Sequence, residues 1–143
     1  MESGNKINIL MVEDEMIIAL ATTMALKEFH YEIINAYNGE DAVKMAVKNV
    51  DINLILMDIN LGNGMDGTEA AKQILLKRNI PIIFLTSHNE QEYVNKVKNI
   101  TRYGYVMKNS DIFVLQSSIE MAYDLFNAIS IEKNEQYSNF NKV

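Results

Sequence analysis

The 143-residue chain has no cysteine, one proline, two histidines and no cluster of basic residues. Without cysteine there is no disulfide, no thiolate metal site and no cysteine nucleophile, which agrees with a cytoplasmic setting. A formal charge of −6, with 13 Lys/Arg scattered among 19 Asp/Glu, leaves no electrostatic footprint for direct nucleic-acid binding. No apolar run approaches the ~20 residues that cross a bilayer, so no membrane span is expected. The opening MESGNKIN lacks the charged, apolar and small-residue order of a signal peptide. Neither His30 nor His88 has partners at metal-ligand spacing.

What is present is an ordinary globular composition, 48% apolar and 22% charged, in a length that suits one domain with a sizeable core. Short β-prone runs alternate with helical patterns. Ile7 to Val12 reads as a strand, followed by the acidic turn Glu13-Asp14-Glu15 and a helix with Ile17, Leu20, Ala21 and Met24 as its inward stripe. Tyr31 to Ala36 is a second strand, and after an Asn38-Gly39 turn Ala42, Val43, Ala46 and Val47 stripe a second helix. Leu54 to Met57 is continuously apolar, as a central strand buried on both faces should be, and it stops at Asp58.

The loop INLGNGMDG then opens onto a helix from Thr68 to about Lys77, and Pro81 starts the strand run PIIFL, which ends at Thr86. Glu90 to Lys98 suits a fourth helix and Gly104 to Met107 a short fifth strand. Asn109 or Ser110 is the expected cap of a last helix striped by Ile112, Leu115, Ile119, Ala122, Phe126 and Ile129 and reaching about Asn134. Such alternation predicts an α/β fold, a doubly wound parallel sheet of five strands with five helices on its two faces.

In such a sheet the carboxyl ends of the strands converge on one crevice. Glu13 and Asp14, Asp58, Thr86 and Lys108 follow strands one, three, four and five, so they are expected to meet there. Taken singly, each has a plain structural reading: an acidic helix start, a turn former, a strand residue, a solvated lysine. Their joint placement is what those readings do not foresee. A carboxylate at the pocket floor can take a phosphoryl group, Mg²⁺ would offset three crowded acids, and a lysine with hydroxyls from Thr86 and Ser87 would meet phosphate oxygens.

The stretches ILMVEDE, LILMDINL, MDGTEAAKQI, PIIFLTS and GYVMK together resemble the receiver domain of two-component response regulators. The resemblance implies the flavodoxin-like strand order 2-1-3-4-5, a receiver over residues 1–134 and a polar C-terminal tail over 135–143. It implies Asp58 as phosphoacceptor, Mg²⁺ held by Glu13, Asp14, Asp58 and the main-chain carbonyl of Asn60, and Lys108 paired with the phosphate. Thr86 and Tyr105 match the switch pair, Ser87 and His88 would line the phosphate, and Asn60 and His88 occupy positions that influence phosphoryl lifetime. Implied partners are a histidine kinase or histidine phosphotransfer protein, a downstream protein target or further effector domain, and a possible homodimer. In the family the domain is a switch whose only chemistry is its own phosphorylation and dephosphorylation.

Three departures from the family pattern stand out. Asn109 follows Lys108 where proline in a cis peptide is usual, so either a trans bond with an altered loop or a strained peptide is expected. INLGNGMDG lacks a common proline and its glycines would loosen the rim. Glu13 stands where aspartate is common, giving a longer arm. Rival readings are a Mg²⁺-dependent aspartyl-phosphate phosphatase or phosphotransferase, a flavodoxin-like electron carrier, and a degenerate receiver that binds partners without phosphorylation. The first is weakened by Asn60 two residues beyond Asp58, and the second by an acidic first turn without a phosphate cradle.

Overall fold

A computed structural model describes residues 6–87, 91–101 and 103–141, leaving aside the side chains of 91–94 and 136–141. Five strands, β1 (Asn8–Val12), β2 (Glu32–Ala36), β3 (Leu54–Asp58), β4 (Ile82–Thr86) and β5 (Tyr105–Met107), form one sheet in the order β2-β1-β3-β4-β5. Every pairing is parallel. The expected topology is therefore the observed one. The central strands β3 and β4 are buried at every position, whereas the edge strand β2 alternates, because only interior strands are covered on both faces along their whole length.

Successive residues of a strand point to opposite faces, so the core divides into two layers. Leu10, Val12, Ile55, Met57, Ile82 and Phe84 face the helices α2 (Gly39–Lys48), α3 (Gly67–Lys77) and α4 (Gln91–Lys98). Ile9, Met11, Leu54, Leu56, Ile83 and Leu85 face α1 (Met16–Lys27) and α5 (Ile112–Asn141). The acidic residues after β1 and β3 and the residues after β4 and β5 thus sit at one end of the sheet.

Three local readings are corrected. In α1 the residues turned inward are Ala19, Thr23 and Leu26, while Ile17 is 84% exposed and Leu20 and Met24 are more than half exposed. MIIALATTMALK is apolar nearly all round, so its pattern does not choose a face, and the helix sets its small residues toward the sheet. Thr23 is held there by Oγ1 donating to Asn35 Oδ1 at 3.3 Å. The start of α5 is capped by Asp111, whose Oδ1 accepts from the Phe113 amide at 2.9 Å, and not by Asn109 or Ser110. Lastly, α5 continues to Asn141, past the expected stop near Asn134, because nothing after Asn134 is a proline or glycine that would end a helix.

Asn38 does more than turn the chain: its Oδ1 accepts from the Asp41 amide at 2.7 Å and caps α2. Asp66 does the same for α3 through the Glu69 amide at 2.9 Å. That cap fixes where α3 starts, directly beneath the end of β3.

Candidate functional site

Each side chain of the crevice is delivered by a strand end. β1 hands over to Glu13, fully buried, and to the more open Asp14; β3 ends on Asp58, 3% exposed; β4 ends on Thr86, also buried. The loop after β5 carries Lys108, whose amide donates to the Thr86 carbonyl at 2.8 Å, extending the β4–β5 ladder by one residue. The Lys108–Asn109 peptide is trans, as is every peptide bond among the described residues, and the lysine still enters the site. Its Nζ lies 2.6 Å from Glu13 Oε1 and 3.0 Å from Asp58 Oδ2.

The β3–α3 loop wraps the phosphoacceptor candidate. The Asn60 amide donates to Asp58 Oδ1 at 3.2 Å, and Asn60 Oδ1 accepts from the Gly62 amide at 3.2 Å. Gly62 has φ +75°, which a side chain would strain, and a Cβ there would come within 3.1 Å of Asp14 Oδ2. Gly67 is tighter still: its amide donates to the Ile59 carbonyl at 2.8 Å, and a Cβ would fall 1.9 Å from the Asp58 carbonyl oxygen. The glycines therefore let the backbone close in on Asp58. From sequence alone these glycines suggest only looseness; the signal for Gly67 is a glycine at the first residue of a helix, directly after the mostly exposed loop 59–66.

Glu13, Asp14 and Asp58 each offer a carboxylate oxygen within 4.8 Å of the others. Burial and the negative charge of Glu13 push the Asp58 carboxyl up to about 7, against the pull of the Lys108 ammonium. Asp14 is raised as well, by burial and by its contact with Glu13. Burial pulls Lys108 down, but its bonds to Glu13 and Asp58 outweigh that and leave it raised, firmly an ammonium. One lysine thus faces three acids. Glu13 Oε1 is buried without an aligned hydrogen-bond donor, so Lys108 meets its charge but does not saturate it. An oxygen-rich, over-acidic pocket with an unsaturated buried oxygen fits a hard divalent cation such as Mg²⁺.

Of the remaining candidates, Ser87 follows Thr86 at the surface and Tyr105, in β5, is 39% exposed. His88 lies outside the described residues.

Residues 9–120 match the family described as the response regulator receiver domain. The chain is 31% identical over 128 residues to the transcriptional regulatory protein PdtaR of Mycobacterium tuberculosis, a match covering 89% of this chain and 62% of that one. It spans less than two thirds of that relative's length. Among solved structures, the N-terminal domain of a response regulator/sensory box/GGDEF protein from Carboxydothermus hydrogenoformans superposes with TM-score 0.80 at 40% identity, over 86% of this chain and 98% of that one. The receiver domain of the sensor histidine kinase PA1611 from Pseudomonas aeruginosa, solved with a magnesium ion in its active-site cleft, gives 0.76 at 25% identity, over 84% and 99%. The receiver domain of Ssk1 from Saccharomyces cerevisiae, crystallised with the histidine phosphotransfer protein Ypd1, gives 0.74 at 28%, over 87% and 93%. With sheet order, acidic pocket and lysine all in register with that likeness, the chain belongs to the response regulator receiver domain family, the phosphoaccepting switches of two-component signalling.

Proposed function

We propose that Asp58 is the phosphoacceptor of this receiver, that Glu13, Asp14, Asp58 and the Asn60 carbonyl hold Mg²⁺, and that Lys108 meets the incoming phosphate. The observation that carries this is the ammonium of Lys108 bridging Glu13 and Asp58 beside two further carboxylate oxygens. An ionised Asp58 oxygen attacks phosphorus, the bond from phosphorus to the donor's imidazole nitrogen breaks, and the electron pair leaves with the imidazole. Bound Mg²⁺ would supply charge neutralisation for the phosphoryl oxygens. Lys108 favours the ionised form of Asp58 against burial and Glu13 before attack, and follows the charge onto the phosphate afterward.

The new charge and acceptor oxygens then favour whichever arrangement of Thr86 and Ser87 satisfies them, and the exposed Tyr105 ring on the neighbouring strand has solvent to leave. Moving such a switch from 1:99 to 99:1 takes about 5.5 kcal/mol of differential stabilisation. His88 is assigned to the phosphate lining on the family resemblance alone. The donor is a histidine kinase or histidine phosphotransfer protein, and the exposed apolar side of α1, with Ile17 and Leu20, offers its docking surface. The output is a changed protein-binding surface, acting on a partner, a second copy or an attached domain. A cytoplasmic setting is assigned on the family resemblance; among the described residues no helix is long and apolar enough to cross a membrane. Catalysis is confined to the domain's own phosphorylation and dephosphorylation.

Intact mass after incubation with Mg²⁺ and acetyl phosphate tests the central assignment. One added phosphoryl group, labile to hydroxylamine and absent in Asp58→Asn, is the expected result. No adduct on folded protein would return the degenerate binding module to first place.

A further inference from the structure

Three pairs in this chain put a glycine directly after an asparagine or aspartate: Asn38–Gly39, Asn63–Gly64 and Asp66–Gly67. Glycine has no Cβ to shield its amide, so that nitrogen can reach the side-chain carbonyl before it and close a five-membered ring. Whether it does so depends on how firmly the fold holds the pair. Two of the three are held. Asn38 engages Asp41 with both side-chain atoms, Oδ1 accepting from its amide at 2.7 Å and Nδ2 donating to its carboxylate at 3.1 Å, and Gly39 is buried as the first residue of α2. Asp66 Oδ1 accepts from the Glu69 amide at 2.9 Å and from Thr68 Oγ1 at 2.7 Å, and the amide of the buried Gly67 donates to the Ile59 carbonyl at 2.8 Å. Asn63 and Gly64 are both exposed and lie outside any helix or strand. Among the described residues neither the Asn63 side chain nor the Gly64 amide has a hydrogen-bond partner. Gly64 has φ +91°, so the loop itself calls for the glycine that makes Asn63 reactive.

We propose that Asn63 is a site of spontaneous deamidation on the rim of the phosphoacceptor pocket. The Gly64 nitrogen bonds to the Asn63 side-chain carbonyl carbon, the bond from that carbon to the side-chain nitrogen breaks, and ammonia leaves with the proton that Gly64 gave up. Water then opens either carbonyl of the resulting succinimide. One opening leaves aspartate and the other isoaspartate, in which the chain runs through the former side chain. Both products add one negative charge to the formal −6. The charge arrives where acids already crowd: a Cβ on Gly62 would lie 3.1 Å from Asp14 Oδ2, and one on Gly64 3.2 Å from Glu40 Oε2. Resting on the Mg²⁺ site proposed above, the consequence is a tighter hold on the cation, because a divalent ion offsets the added carboxylate beside Asp14.

The full chain is incubated at mildly alkaline pH, in buffer and in parallel in urea, and each asparagine is followed by peptide mass mapping. In buffer Asn63 should convert at least about tenfold faster than Asn38, whose cap must first open, and in urea the two rates should converge. Asn63→Gln should remove the acidic species that isoelectric focusing detects in the aged protein. Equal rates at the two sites in buffer, or an Asn63 that survives in buffer and converts only in urea, would overturn the proposal. Asn63→Asp carries the new charge without the lengthened backbone and should bind Mg²⁺ about twofold more tightly by calorimetry, a gain that fades as salt is added. Equal or weaker binding by that variant would overturn the effect on the cation. Binding of Mg²⁺ by neither form would bring down the metal assignment and that effect together, and would leave the conversion of Asn63 standing.

Discussion

At Asp58, burial and Glu13 work against ionisation while Lys108 works for it, and the first two prevail. A carboxyl whose folded pKa of about 7 exceeds its ordinary 3.8 stabilises the fold fully below pH 3.8 and loses that contribution as pH rises through 7. Without metal, Asp58→Asn should therefore raise Tm at pH 8 by roughly 3–6 °C, a gain that shrinks to nothing below about pH 4. Thermal melts in chelator across that range check it, and a pH-independent difference would show that Asp58 ionises freely. Gly67 sets a second limit. Gly67→Ala forces a methyl into the Asp58 carbonyl and should cost about 1–3 kcal/mol in urea unfolding, with slower labelling by acetyl phosphate. Glu13, Asp14, Asp58 and Lys108 were legible because each ends an apolar run. Gly67 was not, because a close backbone approach leaves no mark on hydropathy. Glu13 and Lys108 were expected in the same crevice, but their direct ion pair was not, since which acid a long lysine arm meets is set by side-chain geometry that the sequence does not carry.

The stripe of α5 was read correctly and that of α2 except at Val47, which is 42% exposed, whereas α1 was not, because apolar residues surround it. Its exposed Ile17 and Leu20 give a direct test. Ile17→Lys and Leu20→Lys should change stability by no more than about 0.5 kcal/mol, as surface substitutions do. Phosphotransfer from a histidine phosphotransfer protein should nevertheless fall at least about tenfold, while labelling by acetyl phosphate stays unchanged. If both reactions fall together, α1 supports the pocket and is no docking face. The cap of α5 was misplaced by one or two residues because Asn109, Ser110 and Asp111 are all competent caps and only the backbone turn decides among them. Asp111→Ala should cost about 1 kcal/mol, measured by chemical denaturation, and Asn109→Ala nearly nothing.

For the molecule as a whole, the strand order followed from the receiver-domain resemblance, while the hydrophobic pattern by itself gave the strand–helix alternation and the buried central strand β3. The end of α5 followed from neither, since a polar helical turn has the same composition as a loose tail. We place the receiver at residues 1–134 and treat 135–143 as an extension. A chain ending at Asn134 should keep its Tm within about 2 °C and its labelling by acetyl phosphate in full, because residues 131–135 are already exposed.

The 30-residue α5, about 45 Å long, begins directly after the Lys108 loop, packs on the sheet through Leu115, Ile119 and Ala122, and is exposed over residues 131–135. Its far end lies at the pole away from Asp58. Anything attached there cannot feel the phosphoryl group by touch. It can feel only the pose of a stiff rod, so the message that leaves by this route is an angle and an offset, and its meaning depends on where along the rod's 3.6-residue turn the next element is joined.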